Sequence, residues 1–215
     1  MLNTANASGI LVLLRHGQSE WNAKGLWTGW TDIPLSKAGE KEAYATVEKL
    51  KDIHFDLGYT SKLIRAQQTM DTIQLALSQL FPITQSQALN ERNYGIYTGK
   101  NKWDVEKHLG EEKFLQLRRS WDFPIENGES LKDVYNRVIP YYTEEILPKL
   151  QEGKHILIAA HGNSLRALIK YLDTISDEDI PHLELATGEA YVYTIDANGS
   201  VVDKIILQST SGTVS

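Results

Sequence analysis

Ile10-Leu11-Val12-Leu13-Leu14, followed at once by Arg15-His16-Gly17, is an unbroken run of β-branched and leucine side chains that ends in a polar, chemically capable step. With no polar face along it, the run predicts a strand buried on both sides rather than an amphipathic helix. His155-Ile156-Leu157-Ile158-Ala159-Ala160 repeats the pattern, and it too runs into a histidine and a glycine, His161-Gly162, followed by Asn163. Two such strands belong in the interior of a sheet that has helices on both faces.

The surrounding sequence supplies those helices. Leu63, Ala66, Met70, Ile73, Leu77 and Leu80 recur at helical steps and predict a helix with one apolar stripe. Ser36, a favoured N-cap, precedes a second pattern in which Ala43, Tyr44, Val47 and Leu50 share a face. Leu131, Val134, Tyr135 and Val138 begin a third, which Pro140 must kink or restart. Leu165, Leu168, Ile169 and Leu172 mark a fourth directly after the second buried strand. Near the end, residues 190–195 and 201–207 flank Asp196-Ala197-Asn198-Gly199, a hairpin with Asn-Gly in its turn. The alternation predicts a three-layer α/β fold, its mostly parallel sheet flanked by helices on both faces. With no internal repeat and no linker, residues 1–215 read as a single domain. The stretch from about Leu89 to Gly128, charged and aromatic with weak periodicity, reads as a largely helical insertion of the kind that carries substrate sites. Residues 1–8 and the tail after Gln208 read as loose.

Composition removes whole classes of function. The 215 residues are 41% hydrophobic and carry a formal net charge of -6, which argues against a nucleic-acid partner. The absence of cysteine removes disulfides, cysteine-based zinc sites, iron-sulfur clusters and thiol nucleophiles, and fits the cytoplasm. No stretch has the pattern of a signal peptide or a membrane span, so no membrane partner is expected.

The chemistry gathers at the two strand ends. Ligands of open α/β sheets bind outside the carboxyl ends of the strands, so His16 and His161 are expected to meet in one crevice. Each following glycine is read as permitting a sharp turn and a close approach to a ligand. Gly162-Asn163-Ser164 also opens a helix whose free N–H groups favour an anion. A zinc site would want a third ligand, usually spaced by three or four residues from one of the histidines, and neither has one, so no metal is expected. His54, His108, His155 and His182 read as bystanders. The chain has 15 lysines but only seven arginines, and these sit beside other unusual residues: Arg15 beside His16, Arg65 at a helix start, Arg92 after Glu91, and the pair Arg118-Arg119. Guanidinium forks bind phosphate and carboxylate bidentately, and their concentration in an acidic chain points to a small anionic substrate. On the residues alone, Glu91 reads sooner as a plain surface carboxylate than as a catalytic group, and Arg118-Arg119 sooner as a solvated helix face than as a binding pair.

Leu14-Arg15-His16-Gly17-Gln18-Ser19-Glu20-Trp21-Asn22, Thr28-Gly29-Trp30, Asn90-Glu91-Arg92-Asn93-Tyr94-Gly95, Arg118-Arg119 and His161-Gly162-Asn163-Ser164-Leu165-Arg166 closely resemble the cofactor-dependent phosphoglycerate mutases of the histidine phosphatase superfamily. Order and spacing match from residue 10 to about 207. The resemblance implies a glycolytic and gluconeogenic isomerase that exchanges phosphate between the 2 and 3 hydroxyls of glycerate through a phosphohistidine on His16, primed by 2,3-bisphosphoglycerate. His16 is implied as nucleophile, Glu91 as proton donor and acceptor with a pKa raised by its setting, and Arg15, Arg65 and His161 as the catalytic cradle. Gln18, Ser19, Asn22, Thr28, Gly29, Arg92, Tyr94, Lys102, Arg118, Arg119, Gly162 and Asn163, together with Arg15, Arg65 and Glu91, are implied to bind substrate. The segment Ser120 to Asn127 is shorter than is usual in that family, which predicts a more open site, more hydrolysis and altered subunit packing; a dimer is expected, with a monomer as the alternative. The C-terminal tail is short as well and is not expected to form a firm lid, and Ile96-Tyr97-Thr98-Gly99-Lys100 departs from the usual pattern. The competing reading is a phosphomonoesterase with the same nucleophile. A catalytically dead phospholigand sensor would be expected to lack His16 or Glu91, and both are present.

Overall fold

A computed structural model describes residues 8–208. The loose ends expected at residues 1–8 and after Gln208 lie, Ser8 apart, outside the described residues, as does the short tail. In chain order the elements are β1 (Gly9–Arg15), α1 (Glu20–Ala23), α2 (Lys37–Leu50), β2 (Leu57–Thr60), α3 (Ile64–Leu77), β3 (Ile83–Gln85), α4 (Lys102–Leu109), α5 (Glu111–Arg119), α6 (Leu131–Tyr141), α7 (Leu147–Gln151), β4 (Ile156–Ala160), α8 (Gly162–Leu172), β5 (Ala190–Ile195) and β6 (Val201–Leu207).

The strands form one sheet in the order β3-β2-β4-β1-β5-β6. Pairing is parallel from β3 through β1 and antiparallel at β1-β5 and β5-β6, so β5 alone runs against the rest. The mostly parallel three-layer α/β sheet is thus present, and the hairpin stands at the expected residues. In β1, Leu11 and Leu13 face the side of α6 and α8, packing with Val134, Val138, Leu165 and Ile169. Val12 and Leu14 face the side of α2 and α3, with Leu50, Phe55, Met70 and Ile73. Both faces of β1 are therefore core, which is why its sequence has no polar alternation. Each such side chain contributes about 1.5–3 kcal/mol by leaving water. A short 3-10 turn, Gln87–Leu89, leads into residues 89–128, which hold a second, Gly95–Tyr97, together with α4 and α5. A separate apolar cluster of Trp27, Tyr94, Val105, Phe114, Leu117 and Ile125 holds this part together.

Three local expectations are corrected. Helix α3 stops at Ser78, whose left-handed backbone (φ 53) ends the ladder, so Leu80 leaves the stripe and is 97% exposed. In α2, Ser36 does cap, its Oγ accepting from Gly39 N at 3.1 Å, but Tyr44 points to solvent and Gly39, Ala43, Thr46 and Leu50 form the buried face. Gly39 rather than a larger residue stands on this face because the helix lies backbone-to-backbone on the loop after β1. A Cβ on Gly39 would meet Gln18 O at 2.0 Å, and one on Gly17 would meet Gly39 O at 2.2 Å. Gly17 is thus required by helix packing. Finally, α6 runs through Pro140, and the chain then widens into a π-turn over Tyr142–Ile146 before restarting as α7. Among the described residues, no helix is long and apolar enough to cross a membrane.

Candidate active site

Because β1 and β4 are hydrogen-bonded neighbours with Arg15 opposite Ala160, the next residue of each chain, His16 and His161, leaves the sheet at the same place. His16 N donates to Ala160 O at 3.0 Å, and the two imidazoles meet edge to face with centroids 4.8 Å apart. Both are buried. The partners of His16 decide its tautomer. A carbonyl only accepts, and Gly17 O lies 2.6 Å from Nδ1, so Nδ1 carries the proton. An arginine only donates, and Arg65 Nε lies 3.3 Å from Nε2, so Nε2 presents a lone pair. Burial first, then the charges of Arg65 and Arg15, hold His16 well below its ordinary pKa of 6.5 against the opposing bond to Gly17. His161 is lowered in the same way by burial, Arg65, His16 and other nearby cations. Ser61 Oγ accepts from Leu63 N at 3.1 Å and lies 2.7 Å from His161 Nε2. The Nδ1 of His161 is buried and without a partner among the described residues, and a bond donated by Ser61 to Nε2 would place the imidazole proton there.

Arg65, in the first turn of α3, is 1% exposed. Its fork is locked by Gly29 O at 2.8 Å and Thr31 O at 3.1 Å. Burial lowers its pKa to about 10, with Glu91 and Asp32 opposing. Arg15 reaches Leu185 O through Nη1 at 2.7 Å and keeps a buried, unpartnered Nε.

Glu91 faces the histidines from the loop before α4. Its Oε1 accepts from Arg92 N (2.7 Å), Asn163 N (3.2 Å) and Asn163 Nδ2 (3.0 Å). Asn163 Nδ2 also donates to Tyr94 OH at 2.9 Å. Burial first, then Glu91, pushes the Tyr94 hydroxyl up, against the nearby Arg92. Arg92 is fully buried and bonds Leu117 O through Nη2 at 2.8 Å, leaving Nε and Nη1 without partners.

These groups line two connected chambers. The inner one, about 60 Å³, is formed around His16, Arg65, Asn22, Thr28 and Gly29. The outer one, about 480 Å³, adds Arg118, Arg119, Gly162, Asn163 and Arg166, while Arg15, Trp27, Glu91, Tyr94 and Lys102 border both. Lys102 is lowered by burial, Arg118 and Arg15, with Glu91 opposing. Arg119 is lowered by burial, Arg118 and Arg15. This gathering of cations, together with the unpartnered Arg15 Nε, Arg92 Nε and Nη1, His161 Nδ1 and Thr28 Oγ1, makes a cradle suited to a polyanion.

Two implied binding residues stand apart from these chambers. Gln18 Oε1 accepts from Ser36 Oγ at 3.0 Å, and Ser19 caps α1, taking Asn22 N on Oγ at 3.2 Å. Both serve the architecture that presents Asn22. Gly162 borders the outer chamber, and a Cβ there would come no nearer than 3.8 Å to Arg15 or Glu91, so its protein neighbours do not require glycine. Among the described residues, no three His, Cys, Asp or Glu side chains gather as a metal site requires.

Residue-by-residue reading missed several contributors. Trp27 packs on Tyr94 at 4.4 Å between centroids and lies under Lys102. Trp30 Nε1 donates to Glu91 O at 2.6 Å. Arg137 gathers Ala88 O, Asn90 O and Glu91 O at 2.8–3.0 Å and pairs with Glu129. Glu184 pairs with Arg119. The scarcity of arginine was the available signal, since all seven border or brace this one site.

Residues 11–207 match the family described as histidine phosphatase superfamily (branch 1). A 2,3-bisphosphoglycerate-dependent phosphoglycerate mutase of Bradyrhizobium diazoefficiens is 50% identical over 201 residues, covering 92% of this chain and 97% of the relative. The protein of that name from Rhizobium meliloti is 48% identical over 208 residues, 95% of this chain and 99% of the relative. Both relatives are therefore of nearly this chain's length. Among solved structures, a mycobacterial glucosyl-3-phosphoglycerate phosphatase in complex with VO3 superposes with a TM-score of 0.80 at 22% identity, covering 94% of this chain and 99% of that one, a likeness of fold.

Proposed function

The chain belongs to the histidine phosphatase superfamily (branch 1), and from that premise we propose that it is an isomerase interconverting 2-phosphoglycerate and 3-phosphoglycerate through a phosphohistidine on His16, with 2,3-bisphosphoglycerate as primer. The observation that carries the reading is the unprotonated Nε2 of His16, which accepts only a long bond from Arg65 Nε at 3.3 Å and borders a chamber shared with Glu91. In the forward step Nε2 bonds to phosphorus as the phosphorus–oxygen bond to glycerate breaks, and Glu91 supplies the proton to the leaving oxygen. The return step reverses this, with Glu91 taking the proton of the other hydroxyl. Phosphoryl transfer asks mainly for alignment and charge stabilisation, which Arg15, Arg65, Asn22 and the His161 Nδ1–H supply around the phosphoryl oxygens.

The unpartnered donors described above fit a primer with two phosphates. Arg15, Arg65 and His161 would hold the phosphate at the nucleophile, while Thr28, Gly29, Arg92, Tyr94, Lys102, Arg118, Arg119, Gly162 and Asn163 would hold the glycerate carboxylate and distal phosphate. When bound, it supplies the phosphoryl group that loads His16. The outer chamber is what favours isomerisation over hydrolysis, because it can keep a dephosphorylated glycerate while it turns. We assign no metal to the reaction, since the cationic side chains do the neutralising. The chain works in this reading as one domain whose 89–128 insertion furnishes the distal subsite, in the cytoplasm, as a dimer that sedimentation velocity would detect.

The test is to incubate the protein with 3-phosphoglycerate, with and without a trace of 2,3-bisphosphoglycerate, and follow 2-phosphoglycerate and free phosphate together. Primer-dependent isomer with little phosphate supports the mutase. Phosphate without isomer replaces it with a phosphomonoesterase.

A further inference from the structure

Arg166 lies one turn beyond Asn163 on α8, is 4% exposed, and among the described residues has no carboxylate as a hydrogen-bond partner. Its Nη1 donates to Asn163 Oδ1 at 3.0 Å. Its Nη2 donates to two carbonyls, Arg119 O and Ile180 O, each at 2.8 Å. A guanidinium cannot accept, so the first bond determines which end of the Asn163 amide faces which way. Oδ1 turns to Arg166, and both hydrogens of Nδ2 turn to Glu91 Oε1 and Tyr94 OH.

The polarity then runs on into the site. Oε1 of Glu91 already accepts from three N–H groups, so the proton that this carboxyl carries belongs on Oε2. Tyr94 accepts from Asn163, which leaves its own hydroxyl proton free for the outer chamber. A reversed amide would instead set Oδ1 against the Glu91 carboxylate and destroy both arrangements.

We propose that Arg166 is a positioning residue for proton transfer: it orients Asn163, and through Asn163 it fixes Oε2 as the proton-carrying oxygen of Glu91. The inference rests on the reading of Glu91 as acid and base given above. It gives a buried cation a task beyond stabilising the helix, and it separates proton delivery from the attack by His16, which Arg166 does not touch.

The experiment compares two phosphoryl donors in single-turnover loading of His16, each at saturating concentration, so that any anion binding lost with Arg166, which borders the outer chamber, shows in the half-saturating concentration and not in the maximal loading rate. With 2,3-bisphosphoglycerate the leaving group is an alkoxide that needs a proton; with p-nitrophenyl phosphate it is a phenolate that leaves without one. Arg166→Met is expected to slow loading from the bisphosphate by roughly 10- to 100-fold while changing loading from p-nitrophenyl phosphate by less than about threefold, and Arg166→Lys, which reaches one acceptor at a time, should fall between. Glu91→Gln is the control and should show the same selectivity at larger size. If Glu91→Gln is selective but Arg166→Met slows both donors alike or neither, Arg166 has no part in proton transfer and the inference is overturned. If Glu91→Gln itself shows no selectivity, the assignment of Glu91 fails and the inference fails with it. Should Arg166→Met lose its circular-dichroism signature, the selectivity of Arg166→Lys decides in the same terms.

Discussion

Lowering the pH from 7.5 to 5.5 should cost this protein stability through two side chains. His16 and His161 are fully buried and both held well below 6.5, by burial first and then by Arg65 and the other cations. The unfolded chain therefore takes up a proton at each as the pH falls past 6.5, while the folded chain does not, so the proton uptake favours unfolding. Each histidine whose folded form stays neutral contributes on the order of 1 kcal/mol per pH unit once the pH is below its unfolded value, and the two together remove roughly 3 kcal/mol between pH 7.5 and 5.5. Urea denaturation at constant ionic strength, with the midpoint followed across that range, reads the loss directly. His161→Asn should remove about half of the slope, and His16→Asn the other half. Vanadate or phosphate in the inner chamber should flatten the slope in the wild type, since an anion beside the imidazoles favours their charged forms. A stability that stays level over this range, or a slope that neither substitution alters, would refute the claim that both histidines are buried neutral.

Replacing Arg118 and Arg119 together by Ala should raise KM for phosphoglycerate about 30-fold, roughly 2 kcal/mol and mostly from the half-buried Arg119, and should increase phosphate release relative to isomer; an unchanged product ratio would remove the pair from the distal subsite. Gly95→Ala should destabilise the fold by about 2 kcal/mol or more, because φ is +47 and the new Cβ would meet Glu126 O at 2.0 Å; thermal melting checks it. EDTA should leave turnover unchanged, and a loss restored by a divalent ion would contradict neutralisation by side chains alone. Glu184→Gln should tighten binding of inorganic phosphate to the outer chamber several-fold, because it removes the carboxylate that pairs with Arg119; isothermal titration reads the difference.

What was legible in the sequence followed from local periodicity. The five apolar residues of β1 announce burial on both faces because α2 and α3 cover Val12 and Leu14 while α6 and α8 cover Leu11 and Leu13. Helix faces were legible where burial is one-sided and failed at Tyr44 and Leu80. There a backbone contact through Gly39 and a left-handed Ser78 decide the outcome, and neither leaves an apolar period. The paired histidines were legible because topology places adjacent parallel strand ends together. The supporting arginines were not: apart from the pair of Arg137 with Glu129, Arg137 and Arg166 act on main-chain carbonyls and on one amide, acceptors that every sequence has and none advertises. Glu91 shows the same limit from the other side. Nothing adjacent to it in sequence except Arg92 N holds its carboxylate; Asn163 comes from another helix, and the family resemblance, not spacing, pointed to it.

The account stands on a phosphoryl group carried by Nε2 of His16 and returned to glycerate. The most direct test loads the enzyme with phosphate-labelled 2,3-bisphosphoglycerate, locates the label by peptide mapping and ³¹P NMR, and chases it with excess unlabelled 3-phosphoglycerate. The account predicts an acid-labile adduct on Nε2 of His16, lost in His16→Ala, whose label passes to phosphoglycerate far faster than to water. Label on Nδ1 or on another residue, or label chased mainly into inorganic phosphate, would contradict it.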